Sequence, residues 1–282
     1  MFVVAIPQKK VRIGLSGLIK VWRRRKDAVQ LYRQDGISFY TVTVPTRKGK
    51  ADYHELYALA PRFSGRLLMA EGLDPPAEHP ELLFSPQRLS EQIMLNVAVK
   101  ISEMLPLPLI RRSVGLADED GIYGDFAEKL IKHSPTVKVF TRNFEYYGQV
   151  QEKLLALYGA PLVVTGQLSS LKDCQVIYSP VSQAAERAAA LGPITVSGGV
   201  NEGSMRGNVL TLHSLDLTQE RIQQVPQGVN PIYFFGAAYA LCGKNELQTL
   251  KPQTLLLGRR VVAFSSLRGC IPTLYKAPGI LG

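Results

Sequence analysis

The chain has 282 residues, 46% of them hydrophobic and 20% charged, which is enough to bury a substantial core in roughly two domains. No apolar run approaches the ~20 residues of a spanning helix, and the start MFVVAIPQKK carries its short apolar run ahead of its charges, the reverse of a secretory leader; a cytoplasmic location is expected. The net charge of +10 is confined to residues 1–50, which hold twelve Lys or Arg against Asp27 and Asp35, while residues 51–282 carry 21 of each sign.

Such a one-signed segment beside a neutral body suits an anionic partner, and residues 10–33, with RRRK at 23–26, are the expected docking stretch. Cys174, Cys242 and Cys270 and the four histidines show neither disulfide nor zinc spacing, so no metal centre is expected.

Along the chain, FVVAI at 2–6 and ISFYTVTV at 37–44 predict strands, being β-branched and aromatic between Pro7, Gly36 and Pro45. An apolar face from Val11 to Trp22 is helical in spacing, though Gly14 and Gly17 oppose a helix before residue 18. Asp52 and Glu55 open a short helix, RLLMAE and ELLF read as strands, and Leu89, Ile93, Val97, Ile101 and Met104 form the apolar stripe of a long helix. LPLPL at 105–109 breaks that helix and marks the expected boundary between an N-terminal α/β domain, 1–109, and a second domain, 110–282.

From Arg111 onward strands and helices alternate. SVGLA, TVKVF, PLVVT, CQVIYS and ITVS predict strands, and 121–133, 144–158 and SQAAERAAAL predict helices. The pattern implies a Rossmann-like parallel sheet covered by helices on both faces, and so an α/β protein of two domains with an extension at its C-terminal end. Every strand then ends on one edge, where such sheets bind ligands. A cleft between the domains and over those ends, lined by Asp118, Gly121, Arg142, Thr165 and Ser179, is expected. Asn230 and Pro231 start a further helix, ending at Gly243, that suits either domain.

The first strand is followed by ADEDGIYG. A dinucleotide fingerprint places G-x-G-x-x-G there; Gly121 and Gly124 hold its second and third places, and Glu119 holds the first. Asp118, Glu119 and Asp120 put negative charge where a pyrophosphate would lie, and like charges ~4 Å apart repel by roughly 4 kcal/mol near a surface. The acids have three readings: a solvated turn whose Asp118 or Asp120 caps the helix, a permanently filled phosphate site, or a seat for Mg²⁺ or a cationic ligand.

The run VKVFTRNFEYYGQVQEKLLALYGAPLVVTGQLSSLKDCQVIYSP, within residues 111–181, resembles the cofactor domain of shikimate dehydrogenases and glutamyl-tRNA reductases in its layout of strand, helix, YGA turn and strands. Members of that group preferring NADP end their second strand in a basic pair that receives the 2′-phosphate. TRN puts Arg142 and Asn143 there, so the resemblance implies NADP over NAD if a dinucleotide binds at all. The expected cofactor contacts are Asp118, Glu119, Gly121, Ile122, Gly124, Arg142, Asn143, Thr165 and Ser179. Against this, YSP replaces the small polar run of nicotinamide-binding relatives, and the shikimate-holding residues are missing from residues 1–109. Two functions follow: a small-molecule-binding protein of oxidoreductase ancestry, in its sharpest form an NADP-dependent reductase, or a non-enzymatic regulatory or scaffolding protein with a closed cofactor site and a basic docking segment. Catalytic residues are not legible.

Overall fold

The computed structural model describes residues 1–7, 29–47, 50–59, 65–199 and 209–274. The expected docking stretch lies outside them as far as residue 28, as does the apolar face from Val11 to Trp22. The chain forms two compact units, Met1–Leu89 with Leu217–Thr249 and Ser90–Asp216 with Leu250–Gly282. The chain passes from one unit to the other after Leu89, Asp216 and Thr249, whereas the sequence suggested one cut at 109/110.

The first unit is built on β1 (Phe2–Pro7), β2 (Val29–Gln34) and β3 (Ile37–Val44), followed by the small pair β4 (Thr46–Arg47) and β5 (Lys50–Ala51), α1 (His54–Leu59) and β6 (Leu67–Met69). Its sheet runs β2-β3-β1-β6, with β1 parallel to both neighbours and β2 antiparallel to β3. Asp35 and Gly36 turn the β2–β3 hairpin with φ of 49° and 74°, the left-handed pair a tight two-residue hairpin requires. Of ELLF, only Leu83 bridges, to Leu67, because Pro80–Leu82 forms a short 3-10 turn instead.

The helix α2 (Gln87–Met104) leads into the second unit, with Leu89, Ile93, Val97 and Ile101 all buried. The unit's alternating run follows as β7 (Ser113–Ala117), α3 (Gly124–Ile131), β8 (Thr136–Phe140), α4 (Phe144–Tyr158), β9 (Leu162–Thr165), β10 (Val176–Ser179), α5 (Ser182–Ala189), β11 (Ile194–Ser197) and β12 (Val209–Leu215). These six strands are mutually parallel in the order β12-β11-β10-β7-β8-β9. From β7 the chain steps outward through β8 and β9, then returns to β7's other side for β10 and β11. Right-handed crossovers place α3 and α4 on one face and α5 on the other. The order reverses between β7 and β10, the switch point at which ligands of doubly wound sheets bind.

The chain then returns to the first unit with α6 (Gln219–Gln224) and α7 (Pro231–Cys242). The helix α7 is capped by Asn230 and closed by Gly243 at φ 66°. Phe234 explains its choice of unit: its ring meets Phe2 and Phe39 edge-on, with centroids 5.6 and 5.1 Å away. Burial of an aromatic surface of that size outweighs sequence proximity to the second sheet. The chain ends in the second unit with the antiparallel hairpin β13 (Pro252–Leu257) and β14 (Arg260–Ala263) added beside β12, then α8 (Leu267–Leu274). The parallel sheet is thus an eight-stranded mixed one.

Glu128 ties α3 to α4. Its carboxylate accepts from Lys153 at 2.9 Å, Lys132 at 3.1 Å and Tyr158 at 2.9 Å. The hydrogen bonds from Lys153, Lys132 and Tyr158 hold its carboxyl down at about 2. A depressed carboxyl stabilises the fold fully above its ordinary value of 4.5, and that contribution is lost as pH falls through about 2. Glu128→Gln should therefore cost ~1 kcal/mol at neutral pH, a size set by the exposure of both lysines, and the gap from wild type should close between those two pH values. Urea unfolding at stepped pH reads it; a gap that stays constant to pH 2 would contradict the assignment.

Candidate functional site

At the end of β7 the backbone N–H of Asp118 donates to Phe140 O at 3.0 Å, keeping the first residue of the turn in register with β8. The Asp118 side chain is 3% exposed and folds back over the turn that follows. Its Oδ1 accepts from the N–H of Gly121 at 3.0 Å, and its Oδ2 from the N–H of Tyr123 at 2.8 Å and the hydroxyl of Tyr147 at 2.7 Å. Burial first, then the Asp118 charge, pushes the Tyr147 phenol far above its usual range, so it stays a proton donor. The backbone amides that a glycine turn offers to a phosphate are here taken by a carboxylate of the same chain.

Both glycines are required by packing. Gly121 has φ 68°, and a Cβ there would stand 2.4 Å from Asn143 Cβ. At Gly124 a Cβ would meet the Tyr146 hydroxyl at 2.6 Å and Val150 Cγ2 at 2.8 Å, so α3 and α4 can approach closely only because it is glycine. The N–H of Gly124 donates to that hydroxyl at 3.1 Å.

Glu119 faces elsewhere. Its carboxylate sits between two guanidinium groups, with Arg142 Nη2 at 2.6 Å and Arg187 Nη2 at 2.7 Å, and its carbonyl accepts from the Arg142 N–H at 2.8 Å. Asp120 is exposed. The three acids therefore do not converge, and among the described residues no group of three or more His, Cys, Asp or Glu is placed to hold a metal ion.

The other expected site residues lie along the same strand ends. Asn143 caps α4, accepting from Tyr146 N at 3.1 Å. Thr165 Oγ1 accepts from Gln167 N at 3.1 Å, and its carbonyl from Thr141 N at 3.0 Å. Ser179 is fully buried and its hydroxyl donates to Val181 O at 2.9 Å. Two expectations are corrected. The acids do not cap α3, whose N-cap is Tyr123 without a side-chain bond, because the helix begins three residues later than its expected start. Ile122, expected within a helix over 121–133, lies in the turn before it and is 62% exposed.

Three participants escaped the sequence reading. Tyr147 and Arg187 lie inside the predicted helices 144–158 and SQAAERAAAL and Glu91 on the long helix α2, and none was among the expected site residues. Glu91 is 4% exposed and accepts from the Tyr123 hydroxyl at 2.9 Å, while its carbonyl accepts from the Tyr178 hydroxyl at 2.8 Å. The adjacent tyrosines of FEYYG were the available signal, since a buried Tyr needs a hydroxyl partner.

The chain matches no protein-family model and no curated protein sequence. Among solved structures it is similar to a shikimate dehydrogenase of Mycobacterium tuberculosis, 11% identical over 98% of this chain and 100% of that one, with a TM-score of 0.33. It is similar also to a D-isomer specific 2-hydroxyacid dehydrogenase of Lactobacillus delbrueckii ssp. bulgaricus, 12% identical over 88% and 98%, TM-score 0.32. A D-lactate dehydrogenase of Lactobacillus jensenii is 11% identical over 86% and 87%, TM-score 0.34. The resemblance to Rossmann-type dehydrogenases is distant. Among the described residues no helix is long and apolar enough to cross a membrane.

Proposed function

We propose that this chain is a Rossmann-like protein of oxidoreductase ancestry whose dinucleotide site is filled by its own carboxylates, and that it works as a non-enzymatic regulatory or scaffolding protein in the cytoplasm. The observation that carries this reading is the buried Asp118, whose carboxylate accepts from Gly121 N, Tyr123 N and Tyr147 Oη. A pyrophosphate seated on the same turn would have to displace an anion that already has its hydrogen bonds, and would meet its charge at short range. Glu119 acts alike on Arg142, the residue that would receive a 2′-phosphate. The basic stretch 10–33 supplies the contact to an anionic partner in this reading.

The rival is an NADP-dependent reductase, favoured by the position of Arg142 just past the second strand of the series, β8. Calorimetric titration separates the two. The full chain should give no saturable heat with NADPH, NADP⁺ or NADH up to ~1 mM, the weak end of specific affinity. Saturable micromolar binding of NADPH would overturn the closed site. In that event Arg142→Ala should lose about 1.5–3 kcal/mol of NADPH affinity and leave NADH unchanged.

A further inference from the structure

The turn that joins α2 to β7 holds side chains that neither the core nor the closed dinucleotide site uses. Leu109 and Ile110, in the short 3-10 turn Leu109–Arg111, are 58% and 83% exposed, and Ile110 is the most exposed large hydrophobic side chain among the described residues. We propose that this turn is an insertion tip with which the chain docks on an anionic lipid bilayer.

The apolar pair is followed directly by cations. Arg111 is exposed and Arg112 partly buried, and neither has a carboxylate partner among the described residues. No acid occurs from Met104 to Ala117, and Glu103 before them is paired with Lys100 at 3.1 Å. Cations at the base of an apolar tip match a charged headgroup layer, while the aliphatic side chains enter the acyl boundary beneath it. The backbone of the tip suits a dry setting. Pro106 and Pro108 have no N–H to bury, and the carbonyls of Leu107, Pro108 and Leu109 accept from Arg112 Nε at 3.1 Å, Arg111 N at 2.9 Å and Arg112 N at 2.9 Å. Unpaired carbonyls would keep such a turn in water, since burying each one costs free energy. Size then favours a bilayer over a protein partner. Two aliphatic side chains offer far less than the ~800 Å² a stable protein interface needs on each side, whereas a bilayer requires no matching surface.

Co-sedimentation of the full chain with vesicles of phosphatidylcholine and phosphatidylserine tests this independently of the closed-site reading, since no residue of the β7–α3 turn is involved. Wild type should bind these vesicles, and should bind pure phosphatidylcholine at least ~10-fold more weakly. Leu109→Ser combined with Ile110→Ser should weaken binding by at least ~10-fold, and Arg111→Gln by ~5-fold, with Arg111→Lys restoring it. The positions are exposed, so unfolding midpoints should match wild type. With Trp22, the one tryptophan, replaced by Phe, an Ile110→Trp variant should shift its emission to shorter wavelength when anionic vesicles are added. Absence of vesicle binding by wild type, an unshifted emission, or a double-serine variant that binds like wild type would overturn the proposal, the last by assigning the bilayer contact to the basic stretch 10–33 alone. A dimer in sedimentation velocity that the double-serine variant loses would overturn it too, because the tip would then face a second copy of the chain.

Discussion

Asp118→Ala is expected to destabilise the second unit by roughly 2–4 kcal/mol, because it leaves the buried donors of Tyr123 and Tyr147 without an acceptor, while the Gly121 N–H keeps the Asp118 carbonyl at 3.2 Å; each unsatisfied buried donor costs about 1–3 kcal/mol, less where water enters. Asp118→Asn should recover part of it. Its amide oxygen can take the place of Oδ2, which accepts from Tyr123 N and the Tyr147 hydroxyl, while its NH₂ then faces the Gly121 N–H. Urea unfolding followed by tyrosine fluorescence reads the loss, and a change below ~1 kcal/mol would show that the carboxylate does not hold the turn. The alanine variant also tests closure directly. With the turn amides vacated, inorganic phosphate should raise its unfolding midpoint and leave that of wild type unmoved. An equal response in both would mean that phosphate binds elsewhere.

The second large effect is at Gly121. Gly121→Ala brings two costs together: φ of 68°, which disfavours an L side chain by about 1–2 kcal/mol, and a Cβ 2.4 Å from Asn143 Cβ, an overlap whose relief by backbone shift costs about 1–3 kcal/mol more. A total of about 2–5 kcal/mol follows. Gly159→Ala is the internal control. Its φ of 63° is similar, yet a Cβ there meets nothing within 4 Å, so only the conformational part, ~1–2 kcal/mol, should appear. Equal losses at the two positions in matched denaturation curves would rule out the contact with Asn143 as the reason Gly121 is glycine.

Much of the second unit was legible because its signals are local. The run from Ser113 to Ser197 alternates β-branched stretches with helical periodicity, and the four strands expected parallel from 113 to 179 pair that way. Boundaries moved by a few residues where a turn replaced a helix end, as at Ile122. The strands β12 to β14 were not anticipated. Polar residues such as His213 and Ser214 interrupt the first of them, and an antiparallel hairpin at the sheet's edge is specified by its partner more than by its own pattern.

The sequence by itself determined the class of fold, the concentration of positive charge in residues 1–50, and the presence of acids where a phosphate loop is expected. Tertiary structure alone decided what those acids do. Asp118 reaches a tyrosine 29 positions away and Glu119 an arginine 68 positions away. One carboxylate turns inward to the amides and its neighbour to two guanidinium groups. The same limit applied to residues 217–249. Their apolar helix was evident, but Phe2, Phe39 and Phe234 lie far apart in the chain, and only the assembled sheet offered α7 the aromatic surface it covers. Local sequence encodes the elements, whereas the partner of a long-range contact depends on loop geometry that propensity does not carry.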